Sequence, residues 1–152
     1  MNRAAFITLL LSVFIGLLGI GVIIPVLPVF AATLGANGFA LGMIMAVFSL
    51  SRGALQPVVG SWSDRWGRKQ FLVGGLAIYG VVGLLIPLAG GVFALICIRF
   101  LQGVGSAMIV PVAMAYMSIL APDGEEGRYM SYLNMAVFFG IGCGPMMGGF
   151  LA

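Results

Sequence analysis

The sequence predicts an all-α fold, a polytopic transmembrane helical bundle, and three observations carry that prediction. Hydrophobic residues make up 62% of the 152 and charged residues only 7%, against roughly a quarter charged in soluble domains. Stretches free of Asp, Glu, Lys and Arg run from Ala4 to Ser51, Gln70 to Ile98, Phe100 to Pro122 and Tyr129 to the end. Each is long enough to cross a bilayer, which takes about 20 residues. The runs are continuously apolar, which fits helices rather than the alternating strands of an outer-membrane barrel.

Five spans follow in order, at about 4–33, 38–62, 70–88, 92–119 and 129–151. The first begins "MNRAAF", a basic start like that of a signal peptide. Its apolar run continues far beyond the roughly 7 to 15 residues of such a peptide, so a retained span is expected. "LGANG" (Leu34 to Gly38) divides the first long run, "PLAGG" (Pro87 to Gly91) turns the third span into the fourth, and "APDGEEG" (Ala121 to Gly127) is the remaining polar loop. With the N-terminus in the cytoplasm, the inside segments collect Arg3, Arg65, Arg68, Lys69 and Arg128, and the outside turns collect no Lys or Arg. That distribution satisfies the positive-inside rule, and a multi-pass protein of the cell (inner) membrane is expected.

Other function classes find little support. The net charge of +3 is not arranged as a basic stripe interleaved with aromatics, so no nucleic acid is expected. There is no histidine and no ligand-spaced Cys or acidic cluster, which argues against a metal site and against Ser/His/Asp chemistry. Cys97 and Cys143 fall in apolar stretches and read as small buried residues. "GIG" and "QGVGSA" complete neither phosphate-loop pattern, so no cofactor and no enzyme activity are expected.

Charge inside the spans is confined to two arginines. An arginine at the centre of a spanning helix costs roughly 2.5 to 3.5 kcal/mol on insertion scales, so Arg52 and Arg99 should face protein or water. Ser49, Arg52 and Gln56 in the second span, and Arg99, Gln102 and Ser106 in the fourth, each repeat at i, i+3 and i+7, which puts three polar side chains on one helical face. The two stripes predict a shared wet cavity, with Ser131 and Asn134 as weaker candidates on the fifth span. Gly140, Gly144 and Gly148 are spaced by four and form a seam for close helix approach. Pro145 frees the carbonyl of Ile141 and predicts a local kink.

The densest charge lies in "GSWSDRWGRKQF", Gly60 to Phe71. A topology anchor explains the basic residues, but it does not require Gly60, Asp64 or Gly67. Asp64 near a helix C-terminus opposes the macrodipole and needs a cation, which Arg65 or Arg68 can supply. Gly60, Asp64, Arg65, Gly67, Arg68 and Lys69 together resemble the loop two to three signature of the major facilitator superfamily.

Three further segments are similar to the same family. They are "RFLQGVGSA" (Arg99 to Ala107, including Gln102, Gly103 and Ser106), "GIGCGPMMGG" (Gly140, Gly144, Pro145, Gly148 and Gly149) and "GIGVIIPVLPVF" (Gly19 to Phe30). The last two are most like the twelve-span drug-proton antiporters. The resemblance implies that 1–152 is part of the N-terminal half of a transporter with two six-helix halves, inverted three-helix repeats and a midplane substrate site. It implies efflux of a small lipophilic compound in exchange for protons by alternating access. It also implies that Asp64 and Arg68 form the core of a cytoplasmic switch, and that the Gly140 to Gly149 motif seals against leak.

Proton coupling ordinarily uses a carboxylate or histidine embedded in the membrane, and these spans contain neither. The coupling acid then belongs to other helices, or the two arginines serve uptake or exchange of an anionic metabolite. Ending directly after "GGFLA", the chain reads as a truncation. Either C-terminal helices pack on it, or it is a non-transporting fragment.

Overall fold

The computed structural model describes residues 2–151 and forms five helical segments long and apolar enough to cross a membrane. The first is α1 (Arg3–Thr33). Asn2 caps it, its side-chain oxygen accepting from the amides of Ala4 and Ala5 at 3.1 and 3.4 Å. Gly35, at φ +81°, ends it. The amide of Gly35 donates to Ala32 O and that of Ala36 to Ala31 O, the paired bonds that close a helix on a left-handed glycine. Two residues later Asn37 caps the next helix, accepting from the Ala40 amide at 2.8 Å. "LGANG" is thus a C-cap and an N-cap in direct succession.

That next helix, α2 (Gly38–Trp66), runs one turn beyond the expected end and carries Asp64 and Arg65 within it. Charge halts burial in lipid, but it does not halt a helix. Gly67 alone, at φ +106°, separates α2 from α3 (Arg68–Leu84). A side chain is disfavoured at that φ, so glycine suits the reversal. A single 3-10 turn, Ile86–Leu88, completes the third span.

The fourth span departs from the expected continuous helix. It consists of α4 (Val92–Ala107) and α5 (Val110–Leu120), interrupted at Met108 and Ile109. Pro111 supplies the reason, since it has no amide to donate to the carbonyl of Ala107. Across the break the bonds tighten to i→i−3, Met108 to Gly105 O at 3.1 Å and Ile109 to Ser106 O at 3.2 Å. By contrast, α6 (Glu126–Leu151) stays helical through Pro145.

In packing, α1 lies chiefly against α6, α2 against α4, and α3 against α4. One apolar core joins Leu9, Val13, Leu17, Leu72, Met117 and Leu133 toward the end of the bundle that holds the N-terminus. A smaller core joins Leu27, Ala31, Ile44 and Leu95 toward the opposite end. Of the buried polar residues, Arg99, Gln102 and Ser106 lie on α4, Ser51 on the facing α2, and Ser63 near the C-terminal end of α2.

Candidate transport site

Three constellations carry the residues singled out from sequence. At the α2–α3 turn, Arg68 donates from both Nη2 and Nε to Asp64 Oδ1, at 2.7 and 3.1 Å, and from Nη1 to the carbonyl of Ala115 in α5 at 3.0 Å. The cation that Asp64 needs is therefore Arg68, one helical turn further on, and the pair is tied to the third element by a main-chain oxygen. Arg65 and Lys69 are exposed, and among the described residues they make no ion pair. Gly60 has open space where a Cβ would stand. A cavity of about 310 Å³ lies beside the pair, lined by Ser63, Asp64, Gly67, Arg68, Tyr116 and Ile119.

Near the middle of the fourth span, Arg99, Gln102 and Ser106 are all buried, at 6%, 0% and 1% exposure. They lie inside the α2/α3/α4 seam rather than on an open cavity wall. Arg99 Nη1 donates to Gln102 Oε1 at 2.8 Å, and the guanidinium stacks on the Phe48 ring 4.1 Å from its centroid. Such a stack is one of the few ways to hold a cation where no carboxylate is near. Gly103 lets α2 and α4 meet, since a Cβ there would run into Ser51 Oγ and lie 2.7 Å from Phe48 O.

The expected α2 stripe is displaced by one residue. Ser49 is exposed, while Arg52 and Gln56 are half-buried at the rim of the seam. Ser51 is the buried serine, with Oγ 3.1 Å from both Phe48 O and Phe100 O, the second contact crossing to α4. A stripe anchored on Arg52 points about 100° away from one anchored on Ser51, because adjacent residues differ by that angle around a helix. The buried face of Ile44, Phe48, Ser51, Val59 and Ser63 was the signal that could have found it. On α6, Ser131 and Asn134 are exposed, and Ser131 Oγ is taken up by Gly127 O at 2.8 Å.

The third constellation is the α1/α6 seam. Gly140 faces Phe14 O, which would stand 2.9 Å from an added Cβ; Gly144 faces the backbone of Gly21; Gly148 faces Val22 O and Pro25. The carbonyl of Ile141, released by Pro145, lies on Gly21, at 2.9 Å from where a Cβ would be. Gly149, the last glycine of the motif, has open space where a Cβ would stand and lies outside the seam.

Comparison with known proteins decides what this arrangement belongs to. Residues 9–152 match the profile of the Major Facilitator Superfamily. The chain belongs to that family. An uncharacterized MFS-type transporter of Methanocaldococcus jannaschii is 38% identical over 142 residues, covering 93% of this chain and 37% of that protein. Multidrug resistance protein 2 of Bacillus subtilis is 36% identical, covering 99% and 38%. A quinolone resistance protein of Staphylococcus aureus is 30% identical, covering 100% and 39%. The chain thus spans under two fifths of the length of these relatives. As a member of the superfamily with five spanning helices it is a multi-pass membrane protein.

Proposed function

We propose that this chain forms the first five spans of a secondary transporter that exports small lipophilic compounds in exchange for protons by alternating access. Two similar proteins are named for multidrug and quinolone resistance, which supports efflux of drug-like molecules. The observation that carries the mechanism is the Asp64–Arg68 pair reaching Ala115 O in α5. It joins three elements through a half-exposed carboxylate and one main-chain oxygen, a contact that a rocking half-transporter can make and release. The α1/α6 glycines form the tight seam that keeps the path closed to leak, and Arg99 acts within the half as a fixed cation during the cycle.

Arg3, Arg65, Arg68, Lys69 and Arg128 all fall at one end of the bundle, by their places at helix starts and ends. That supports a cell (inner) membrane location with this end and the N-terminus cytoplasmic. The titrating group for proton exchange belongs to helices outside these five, which pack on them to complete the transporter.

The test is efflux of the lipophilic cation tetraphenylphosphonium from vesicles holding the complete transporter under an imposed pH gradient. Movement driven by the gradient is expected, with Arg99→Ala abolishing it at unchanged membrane level. A transporter that moves the cation without regard to the gradient would rule out the proton exchange. A second reading, uptake or exchange of an anionic metabolite, is favoured by Arg52 and Arg99 standing within apolar stretches that hold no carboxylate. Competition by organic anions and none by lipophilic cations would select it.

A further inference from the structure

Arg99 is the one buried cation among the described residues, and hydrogen bonding does little to hold it. Its Nη1 donates to Gln102 Oε1, but Gln102 lies three residues further along the same helix and moves with it. Among the described residues Arg99 Nε has no hydrogen-bond partner, and neither do Gln102 Nε2, Ser106 Oγ and, from α3, Tyr79 Oη. The apolar stretches on either side of Arg99, and the one that holds Phe48, contain no carboxylate. What another helix does bring onto the guanidinium is the Phe48 ring of α2, its centroid 4.1 Å from Arg99 Cζ. That lies inside the roughly 6 Å over which a ring face attracts a cation, and Phe48 and Arg99 are both buried, which strengthens the attraction.

The register of the α2/α4 contact sets this stack. The second and fourth spans run in the same direction, since successive spans alternate. Ser51 meets Gly103, where an added Cβ would run into its Oγ, and the same Oγ lies 3.1 Å from Phe100 O. Phe48, three residues before Ser51, therefore stands level with Phe100, three residues before Gly103. Helical side chains lean toward the N-terminus of their own helix, so the ring reaches back to the level of Arg99. Gly103 also admits the Phe48 carbonyl, 2.7 Å from its would-be Cβ, which fixes the main chain that carries the ring. A phenyl ring has no proton to exchange, so it holds the cation without neutralising it.

We propose that Phe48 is a positioning residue for Arg99, its ring face holding the guanidinium in one plane against α2 in the place a carboxylate would otherwise take. The proposal rests on the reading of Arg99 as a working group of the transport cycle.

Phenylalanine bearing one, two or three ring fluorines at position 48 nearly keeps the shape of the side chain and withdraws the negative charge of its face in steps. In the complete transporter, the maximal rate of tetraphenylphosphonium efflux should fall with each fluorine, by about fivefold for three, with KM and membrane level close to unchanged. Phe48→Leu, apolar but without a π face, should lose at least as much. A rate indifferent to fluorination overturns the proposal even where Phe48→Leu is impaired, because packing alone then accounts for the ring. The thermal midpoint in detergent gives a second readout that needs no transport. Three fluorines should lower it by about 2 to 4 °C when Arg99 is present, and by less than about 1 °C in an Arg99→Gln background. Equal shifts in both backgrounds overturn the stack. If the parent does not move the cation, the transport reading fails, while this thermal cycle still decides whether the ring holds the guanidinium.

Discussion

Along the α1/α6 seam, two helices meet through glycines and backbone, whereas along the α2/α3/α4 seam they meet around a buried guanidinium, an amide and three hydroxyls, those of Ser51, Tyr79 and Ser106. Among the described residues the first seam buries no polar side chain, and it is held by close approach of main chain to main chain. The second holds a cation whose partners are one glutamine and one phenyl ring, and it leaves four polar atoms orphaned. A structure that only needed to pack would not accept that arrangement, since each buried unpaired group costs about 1 to 3 kcal/mol. The contrast separates a seam of close backbone approach from one that buries a cation and its polar neighbours.

Substitutions that thicken the glycine seam should have the largest effect. Gly144→Val places new atoms against the backbone of Gly21, which no side-chain rotation can relieve. It should cost about 3 kcal/mol or more and leave little folded protein in the membrane. Gly149→Val, five residues on and facing open space, should change stability by less than about 0.5 kcal/mol. Thermal unfolding of the pair in detergent measures the gap, and equal losses would mean that the seam is not what holds α6.

The polar seam should respond differently, with function falling before stability. Gly103→Ala is the exception within it, because the added methyl meets Phe48 O as well as Ser51. A loss of about 1 to 3 kcal/mol is expected. Ser51→Ala should not rescue it, since the carbonyl of Phe48 remains in place. Rescue would show that only the serine hydroxyl opposes the methyl.

Asp64→Asn probes the third constellation. The amide keeps the shape and loses the charge that two Arg68 nitrogens share. The pair is partly exposed, so it contributes little to stability, within about 1 kcal/mol. Transport by the complete protein should fall at least about tenfold while insertion holds, if the pair works as a switch. Matching losses of transport and insertion would reduce the segment to a topology signal.

How much of this could be read from the sequence depends on what each feature requires. Span positions follow from hydropathy, and turns at Gly35 and Gly67 follow from glycine's access to positive φ, so both were legible. Where α2 ends was misread, because Asp64 and Arg65 mark the edge of the apolar run and not the edge of the helix. The break after Ala107 was foreshadowed only by Pro111, inside an apolar run that reads as continuous. The Arg99, Gln102 and Ser106 stripe was legible as three polar residues on one face. Tyr79 was not, and Ser51 was signalled only by sharing the helical spacing of Ile44, Phe48 and Val59, since which side of α2 and α3 turns inward depends on the glycines of the facing helix, Gly103 and Gly105.

Ser51→Ala is the smallest change that still separates the seams. Its hydroxyl reaches Phe100 O across the α2/α4 contact at 3.1 Å, but it lies equally near Phe48 O in its own helix. Side-chain hydrogen bonds between membrane helices average about 0.6 kcal/mol, and here the bond is divided between two acceptors. The Phe100 carbonyl also keeps its place in the helix ladder whether or not the serine is there. The thermal midpoint of Ser51→Ala should therefore fall by no more than about 2 °C, reflecting a loss of about 0.5 kcal/mol. A fall as large as that of Gly103→Ala would mean that α2 is held on α4 by this one hydroxyl, and that close backbone approach matters less in the polar seam than in the glycine seam.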